Sequence, residues 1–179
     1  MPDVDASLFR AALGCLTSGV TVVTVRDAEG GDHGMTASAF TSLSLEPPLV
    51  LVCVKAGNST YGLIESSSSF AVNILARSQE ECSNRFAGGI VGADGKWTPW
   101  PMDRDRFEDL DFSRGEHSGA ALLEGSLAAL DCSLEAILPG GDHGIFVGRV
   151  QGATLGEGEG LEPLLYSSGG YGTFTGGDG

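Results

Sequence analysis

The sequence predicts a mainly β fold, an antiparallel β-barrel with short helices between its strands, in a single domain over residues 1–179. Three observations carry this expectation. The chain has 28 glycines among 179 residues, well above ordinary usage, set between short apolar runs, and that pattern calls for many turns. Residues 128–136 alternate with a period of two: Ala128, Leu130, Cys132, Leu134 and Ala136 share one face, and Ala129, Asp131, Ser133 and Glu135 share the other. Further strand-like runs recur along the chain with short helical segments between them.

In chain order, residues 7–16 place Leu8, Ala11, Ala12 and Cys15 at helical spacing, with Gly19 as the stop. Residues 20–25 are β-branched, and a turn at 27–31 joins them to a partner strand in a hairpin. Residues 49–54 are an unbroken apolar strand, entered through Pro47-Pro48. Asn58 or Ser59 caps a short helix carrying Tyr61, Leu63 and Ile64; the serines at 66–69 are its exit, and residues 70–75 are the next strand. Ser78-Gln79-Glu80-Glu81 fits a capping box for a helix running to Phe86.

Residues 87–101 are rich in Gly and Trp and have no periodicity, the mark of a functional or mobile loop. Trp97 and Trp100 either pin that loop to the surface or cover a flat aromatic ligand. The mixed charge run at 103–111 reads as a solvated face. The period-two strand turns at 140–142 into a partner at 143–150, extended by 151–155. Residues 156–160 are another turn and 164–166 a short strand, and the Gly-rich tail is expected to be flexible from about residue 172.

Ten basic and 24 acidic side chains give a net charge of −14. Such a chain is repelled by nucleic acid and by anionic membranes, so neither is expected as a partner. A phosphate-bearing ligand needs a local positive spot, for which Lys55, Arg77, Arg85, Arg149 and helix N-termini are the candidates. The N-terminus has no secretory pattern and no apolar run approaches membrane-spanning length, so a cytoplasmic location is expected. Cys15, Cys53, Cys82 and Cys132 are far apart with no histidine at zinc spacing, which reads as free thiols and no metal. There is no Gly-x-Ser-x-Gly elbow, no phosphate loop ending in Lys-Ser/Thr and no Gly-x-Gly-x-x-Gly after a strand, which argues against a Rossmann enzyme.

The most distinctive stretch runs from Gly34 to Val54: small and hydroxyl-bearing residues, a double proline, then the apolar strand. Taken alone it is either a plain β-turn-β unit whose Ser and Thr decorate one face, or a segment whose small side chains let a ligand approach the backbone. Its order Gly-Met-Thr-Ala-Ser-x-Phe-Thr-Ser-Leu-Ser-Leu-x-Pro-Pro resembles the signature of the short-chain flavin reductases. The resemblance continues through Asn58-Ser59-Thr60, residues 70–75, Ser83-Asn84-Arg85-Phe86-Ala87 and the Gly141-Asp142-His143-Gly144 run, and covers roughly residues 8–171 in the family's order.

The resemblance implies an FMN-binding split β-barrel of antiparallel Greek-key type that forms a homodimer, with flavin near the subunit interface. It implies hydride transfer from NADH or NADPH to FMN or FAD, and a separate flavin-dependent monooxygenase that takes the reduced flavin. By the same resemblance Thr36, Ala37, Ser38, Ala39, Phe40, Thr41 and Ser42 are the flavin-ring segment, and Cys53, Val54 and Lys55 the strand end beneath the ring. Ser59 and Thr60 are phosphate or ribityl contacts, Arg85 and Phe86 a further contact, and Tyr166 and Tyr171 lie near the nicotinamide. His143 is the catalytic candidate, orienting the carboxamide or offering a proton near neutral pH; without the resemblance it reads as a hairpin residue bonded to Asp142. Ser168 stands where many relatives have a basic residue, which weakens the case for NADPH and for tight nicotinamide binding. Two other readings share the same barrel: a non-catalytic flavin carrier or sensor, and a stand-alone flavin oxidase or monooxygenase.

Overall fold

The structure, a computed structural model, describes residues 4–157 and 161–174. The end of the turn expected at 156–160 and the tail from 175 lie outside the described residues, while Gly172, where the flexible tail was expected to begin, is the last residue of a hairpin strand, Gly170–Gly172.

Helix α1, Ala6–Gly14, is capped by the Asp5 carboxylate, which accepts from the Ser7 N–H at 2.9 Å. It ends at Gly14, earlier than the expected stop, and buries none of its residues. Seven strands then build one antiparallel sheet: β1 Thr21–Arg26, β2 Asp32–Ala37, β3 Phe40–Ser44, β4 Leu49–Lys55, β5 Ser69–Ile74, β6 Ala128–Gly140 and β7 His143–Leu155. Their spatial order is β2-β1-β5-β6-β7-β4-β3. The hairpin β1–β2 forms as expected, its turn held by Asp27, whose Oδ1 accepts from Gly31 N at 2.7 Å. The edge strands β2 and β3 are consecutive in the chain and separated only by Ser38-Ala39. A link that short forces the sheet to roll until its edges meet. Among the described residues the edges are joined by the chain itself and not by a ladder.

Period-two alternation gives each central strand two different apolar faces. Val23 and Val25 of β1 face the inside of the roll with Val52, Val54, Phe70, Val72, Cys132 and Phe146. Helix α2, Ser59–Ser67, plugs this space with Ile64, and its Tyr61 ring meets Phe146 edge-on at 4.7 Å. A Cβ at Gly144 would stand 2.7 Å from that tyrosine ring, so only glycine fits there. The other face of β1 carries Val22 into a second core with Val20, Leu75, Leu123 and Leu164. Helix α3, Glu80–Phe86, packs Cys82 and Phe86 onto it. Each fully buried Val or Phe contributes about 1.5–3 kcal/mol, so the two cores together hold the roll closed.

Three expectations are corrected here. Ser78 caps nothing: Arg77–Gln79 is a 3-10 turn in which Gln79 Oε1 accepts from Ala76 N at 3.0 Å, and α3 starts after it. Its first turn carries Glu80 and Glu81, which suit the positive helix end without a box. Residues 87–101 are not structureless but form a hairpin, Gly89–Val91 with Trp97–Pro99. The charge run at 103–111 is only partly a solvated face, because Phe107 turns inward onto Phe86 at 5.0 Å.

The buried Asn73 ties three segments. Its amide donates to Val22 O at 3.1 Å and Ala121 O at 3.3 Å, and its Oδ1 accepts from Leu123 N at 2.7 Å. Asn73→Ala strands the Leu123 N–H in a dry core and should cost about 2 kcal/mol or more in urea unfolding; a loss below about 0.5 kcal/mol would contradict that role.

Burial pushes the Cys82 thiol from 9.0 up to about 11 and the Cys132 thiol up to about 12. Both raised values favour the neutral thiol, so its contribution to stability is complete below about pH 9 and is lost as the pH climbs through 11 and 12. At pH 8 a thiol reagent should modify exposed Cys15 at once and reach Cys82 and Cys132 only on unfolding. Labelling of Cys132 as fast as Cys15, read by peptide mass spectrometry, would contradict this.

Candidate functional site

Two patches lie on either side of the Ser38-Ala39 link. The first is a cavity of about 560 Å³. Strand β2 supplies Thr36, the link supplies Ser38, and α3 supplies Glu80, Ser83 and Asn84. A C-terminal hairpin, Leu165–Ser167 with Gly170–Gly172, adds Tyr166 and Tyr171, and the hairpin at 89–99 adds Val91 and Trp97. A hydrogen-bond chain runs along its floor. Thr36 Oγ1 donates to Ser83 O at 2.6 Å, the Ser83 and Tyr171 hydroxyls share a bond of 2.9 Å, and the Tyr171 hydroxyl donates to Asn84 Oδ1 at 3.1 Å. Burial raises the Tyr171 phenol above its usual range, against the lowering by the Ser83 bond, so it stays a neutral donor at physiological pH. The Tyr171 ring meets Tyr166 edge-on at 5.2 Å. Ser168, in the left-handed region at φ 51°, turns this hairpin and donates from its N–H to Gly14 O at 2.7 Å, which ties the hairpin to the end of α1.

The second patch lies at the end of the β4–β7 ladder. There Lys55 stands directly opposite His143. His143 Nδ1 and Asp142 Oδ1 are 2.7 Å apart, and the histidine holds the Asp142 carboxyl below its usual range. Ala56 N donates to Asp142 O at 2.9 Å, which pins the turn into α2 against the β6–β7 turn. Val52 and Val54 point into the core while Cys53 and Lys55 alternate outward, so Val54 can offer a ligand its backbone alone. Asn58 is the cap of α2 and takes the Thr60 N–H at 3.0 Å; Thr60 is buried and Ser59 exposed. The two patches connect through Ala39, whose carbonyl accepts from Cys53 N at 3.0 Å, two residues from Lys55.

Of the residues expected at the site, Thr36, Ser38, Tyr166 and Tyr171 line the cavity, Cys53, Lys55 and His143 lie at the ladder end, and Ser59 opens α2, four residues after Lys55. Ala39 is exposed on the link, and Phe40, Thr41 and Ser42 follow it along β3, paired with Val52, Leu51 and Val50. Ala37 is buried beneath them. Arg85 and Phe86 are turned away from the cavity. Phe86 is core, and Arg85 donates to Glu108 O at 2.7 Å while its guanidinium lies 4.8 Å from the Trp100 ring centre. Within this chain their role is to hold α3 and the following loop.

Sequence reasoning did not name Glu80 or Ser83 as site residues; Asn84 lay within the resembling segment without being singled out, and Trp97 stood between two readings, a surface pin and a cover for a flat aromatic ligand. Glu80, Ser83 and Asn84 had a signal: with Ala87 they stand at i, i+3, i+4 and i+7, one face of a helix, and that face lines the cavity. The structure separates the two tryptophans: Trp97 lines the cavity and Trp100 is buried.

Among the described lining residues Glu80 is the single acidic or basic side chain, so the cavity suits a neutral flat ring better than a phosphate. Lys55, exposed at the end of β4 and just before α2, is a cation available to a phosphate. Half-exposed aromatic walls, hydroxyls at 38–42 and this separate cation match the ring, chain and phosphate of a flavin nucleotide. Among the described residues no three His, Cys, Asp or Glu side chains stand close enough to hold a metal ion, and no helix is long and apolar enough to cross a membrane.

The family model for the flavin reductase like domain matches residues 13–175. A "Probable flavin reductase" of Rhizobium meliloti is 38% identical over 167 residues, covering 93% of this chain, which spans only 48% of that relative's length. The reductase component of the 4-hydroxyphenylacetate 3-monooxygenase of Thermus thermophilus is 40% identical over 167 residues, 91% of this chain and 93% of the relative. The solved NADH:FAD oxidoreductase of Streptomyces globisporus C-1027 superposes with a TM-score of 0.83 at 36% identity, covering 98% of both chains. That fold runs from the edge link to the C-terminal hairpin, and with the match over residues 13–175 it makes this chain a member of the flavin reductase-like domain family.

Proposed function

We propose that the protein is a flavin reductase that uses NADH as hydride donor and passes reduced flavin to a separate monooxygenase. The observation that supports it best is the Ala39–Cys53 hydrogen bond, which joins the family's ring segment to the Lys55–His143 ladder end. Bound together, flavin and nicotinamide supply the hydride chemistry themselves, so the protein's task is to bind, align and keep the rings dry. Residues 38–42 offer backbone groups and hydroxyls to the flavin edge, and Lys55 with Ser59 receives the phosphate. The Thr36–Ser83–Tyr171–Asn84 chain fixes the ring wall, and neutral Tyr171 donates without introducing charge. His143, steadied through Nδ1 by Asp142, directs Nε2 at the nicotinamide carboxamide or at a proton near the flavin. The relatives named as an NADH:FAD oxidoreductase and as a monooxygenase reductase component support both the donor and the partner. Four free thiols suit the reducing cytoplasm, where we place the reaction.

We also infer a homodimer. Helix α1 leaves Leu8, Phe9 and Leu13 in solvent, and Leu16 follows just beyond its end, each more than half exposed, which a second copy would cover. Light scattering should give twice the chain mass, and a single-chain mass at micromolar concentration would overturn the inference.

Purified protein should oxidise NADH in a manner saturable with FMN or FAD. His143→Ala should lower kcat/KM for NADH about tenfold, near 1.4 kcal/mol, and leave flavin affinity within about twofold. No flavin-dependent oxidation above the protein-free rate would sink the reductase reading. An unchanged kcat/KM in the variant would remove His143 from it.

A further inference from the structure

We propose that Trp97 is a ring-stacking residue of the site, holding the flat base of the bound nucleotide against the wall opposite Tyr166 and Tyr171. This rests on the reductase reading.

Trp97 and Trp100 are three residues apart and do different things. Trp100 is buried and anchors the hairpin neck: its N–H donates to Gly88 O at 2.9 Å and its indole N–H to Arg104 O at 2.9 Å. The Arg85 and Arg104 guanidinium groups each lie 4.8 Å from its ring centre. Arg85 Nε has no hydrogen-bond partner among the described residues, so that buried guanidinium is held in part by the stack. Such an anchor leaves the strands beyond it fixed in register, with Val91 opposite Trp97.

Trp97, in contrast, is 54% exposed, although it is the largest side chain lining the cavity. Its indole rests flat against a backbone: a Cβ at Gly89 would stand 2.0 Å from its Cε2, so only glycine lets the ring lie there. One face is thereby packed while the rest of the ring is left for the cavity. Tyr166, which lines the same cavity, is 40% exposed. A soluble chain gains nothing by leaving such rings half wet around one cavity. A planar aromatic partner slid between them removes that water and adds stacking, with no charge required. Isoalloxazine and adenine share this chemistry: the ring of FMN, the two ring systems of FAD, and the adenine of NADH.

The test compares wild type with Trp97→Ala, Trp97→Leu and Trp97→Phe by calorimetric titration with FMN, FAD, AMP and NAD+, thermal melting confirming the fold of each. Trp97→Leu keeps the apolar bulk on Gly89 and guards against a hairpin that collapses in Trp97→Ala. The ligand whose ring stacks should bind about tenfold or more weakly to the Ala and Leu variants and within about threefold of wild type to Trp97→Phe. Loss for AMP and FAD but not FMN assigns adenine, and loss for FMN and FAD but not AMP assigns isoalloxazine. Tryptophan emission should be quenched by that ligand in wild type and not in Trp97→Phe, where buried Trp100 remains. Unchanged affinity for all four ligands in the Ala and Leu variants overturns the proposal. If wild type oxidises NADH with flavin, that outcome leaves the reductase reading standing.

Discussion

Two residues set the shape of this molecule. Ser38 and Ala39 are all that separate the two edge strands of a seven-stranded sheet, so the sheet must curl until its edges meet. The carbonyl of Ala39 then accepts from Cys53 N, which lays the link along the strand that carries Lys55. The same two residues are exposed, so the link that closes the fold also lies at the surface, where the proposed site needs it.

Everything else at the site is placed by packing on either side of that link. Inside the roll, α2 presses Ile64 and Tyr61 against Phe146, which aligns its first turn with the end of β4. Outside, α3 packs Phe86 onto the second core and thereby turns its opposite face, with Glu80, Ser83 and Asn84, to the cavity. Asn73 joins the outer strands to the central ones through three hydrogen bonds in a dry environment, which makes the two cores one cooperative unit. The site itself contains few charges. Its cation is outside the cavity, as suits a ligand with a neutral ring at one end and a phosphate at the other.

Much of this was legible in the sequence, because alternation and turn residues are local signals. Strands β1, β4, β5, β6 and β7 all appear as β-branched or alternating runs, and Asn58 announces the start of α2. The family's motif order singled out Ser38, Ala39, Lys55 and His143, but the link between edge strands and the opposition of Lys55 to His143 were not legible, since they depend on register between distant strands. Arg85 shows where motif reading runs out. Its neighbours Ser83 and Asn84 reach the cavity, but helical spacing points Arg85 the other way, under the Trp100 ring. The 89–99 hairpin was missed because its glycines and prolines hide any period, so the two readings of Trp97 and Trp100 could not be told apart. Ser78 satisfied a capping pattern that the chain does not use, because Gln79 reaches back to Ala76 first.

The most direct test is amide hydrogen exchange, followed with and without saturating FMN. Exchange should slow at 38–42 and 56–60, the link and the first turn of α2, on opposite sides of Cys53. Slowing confined to the groove between Ser113 and Gln151, or absent altogether, would show that the link is structural and that flavin binds elsewhere or not at all.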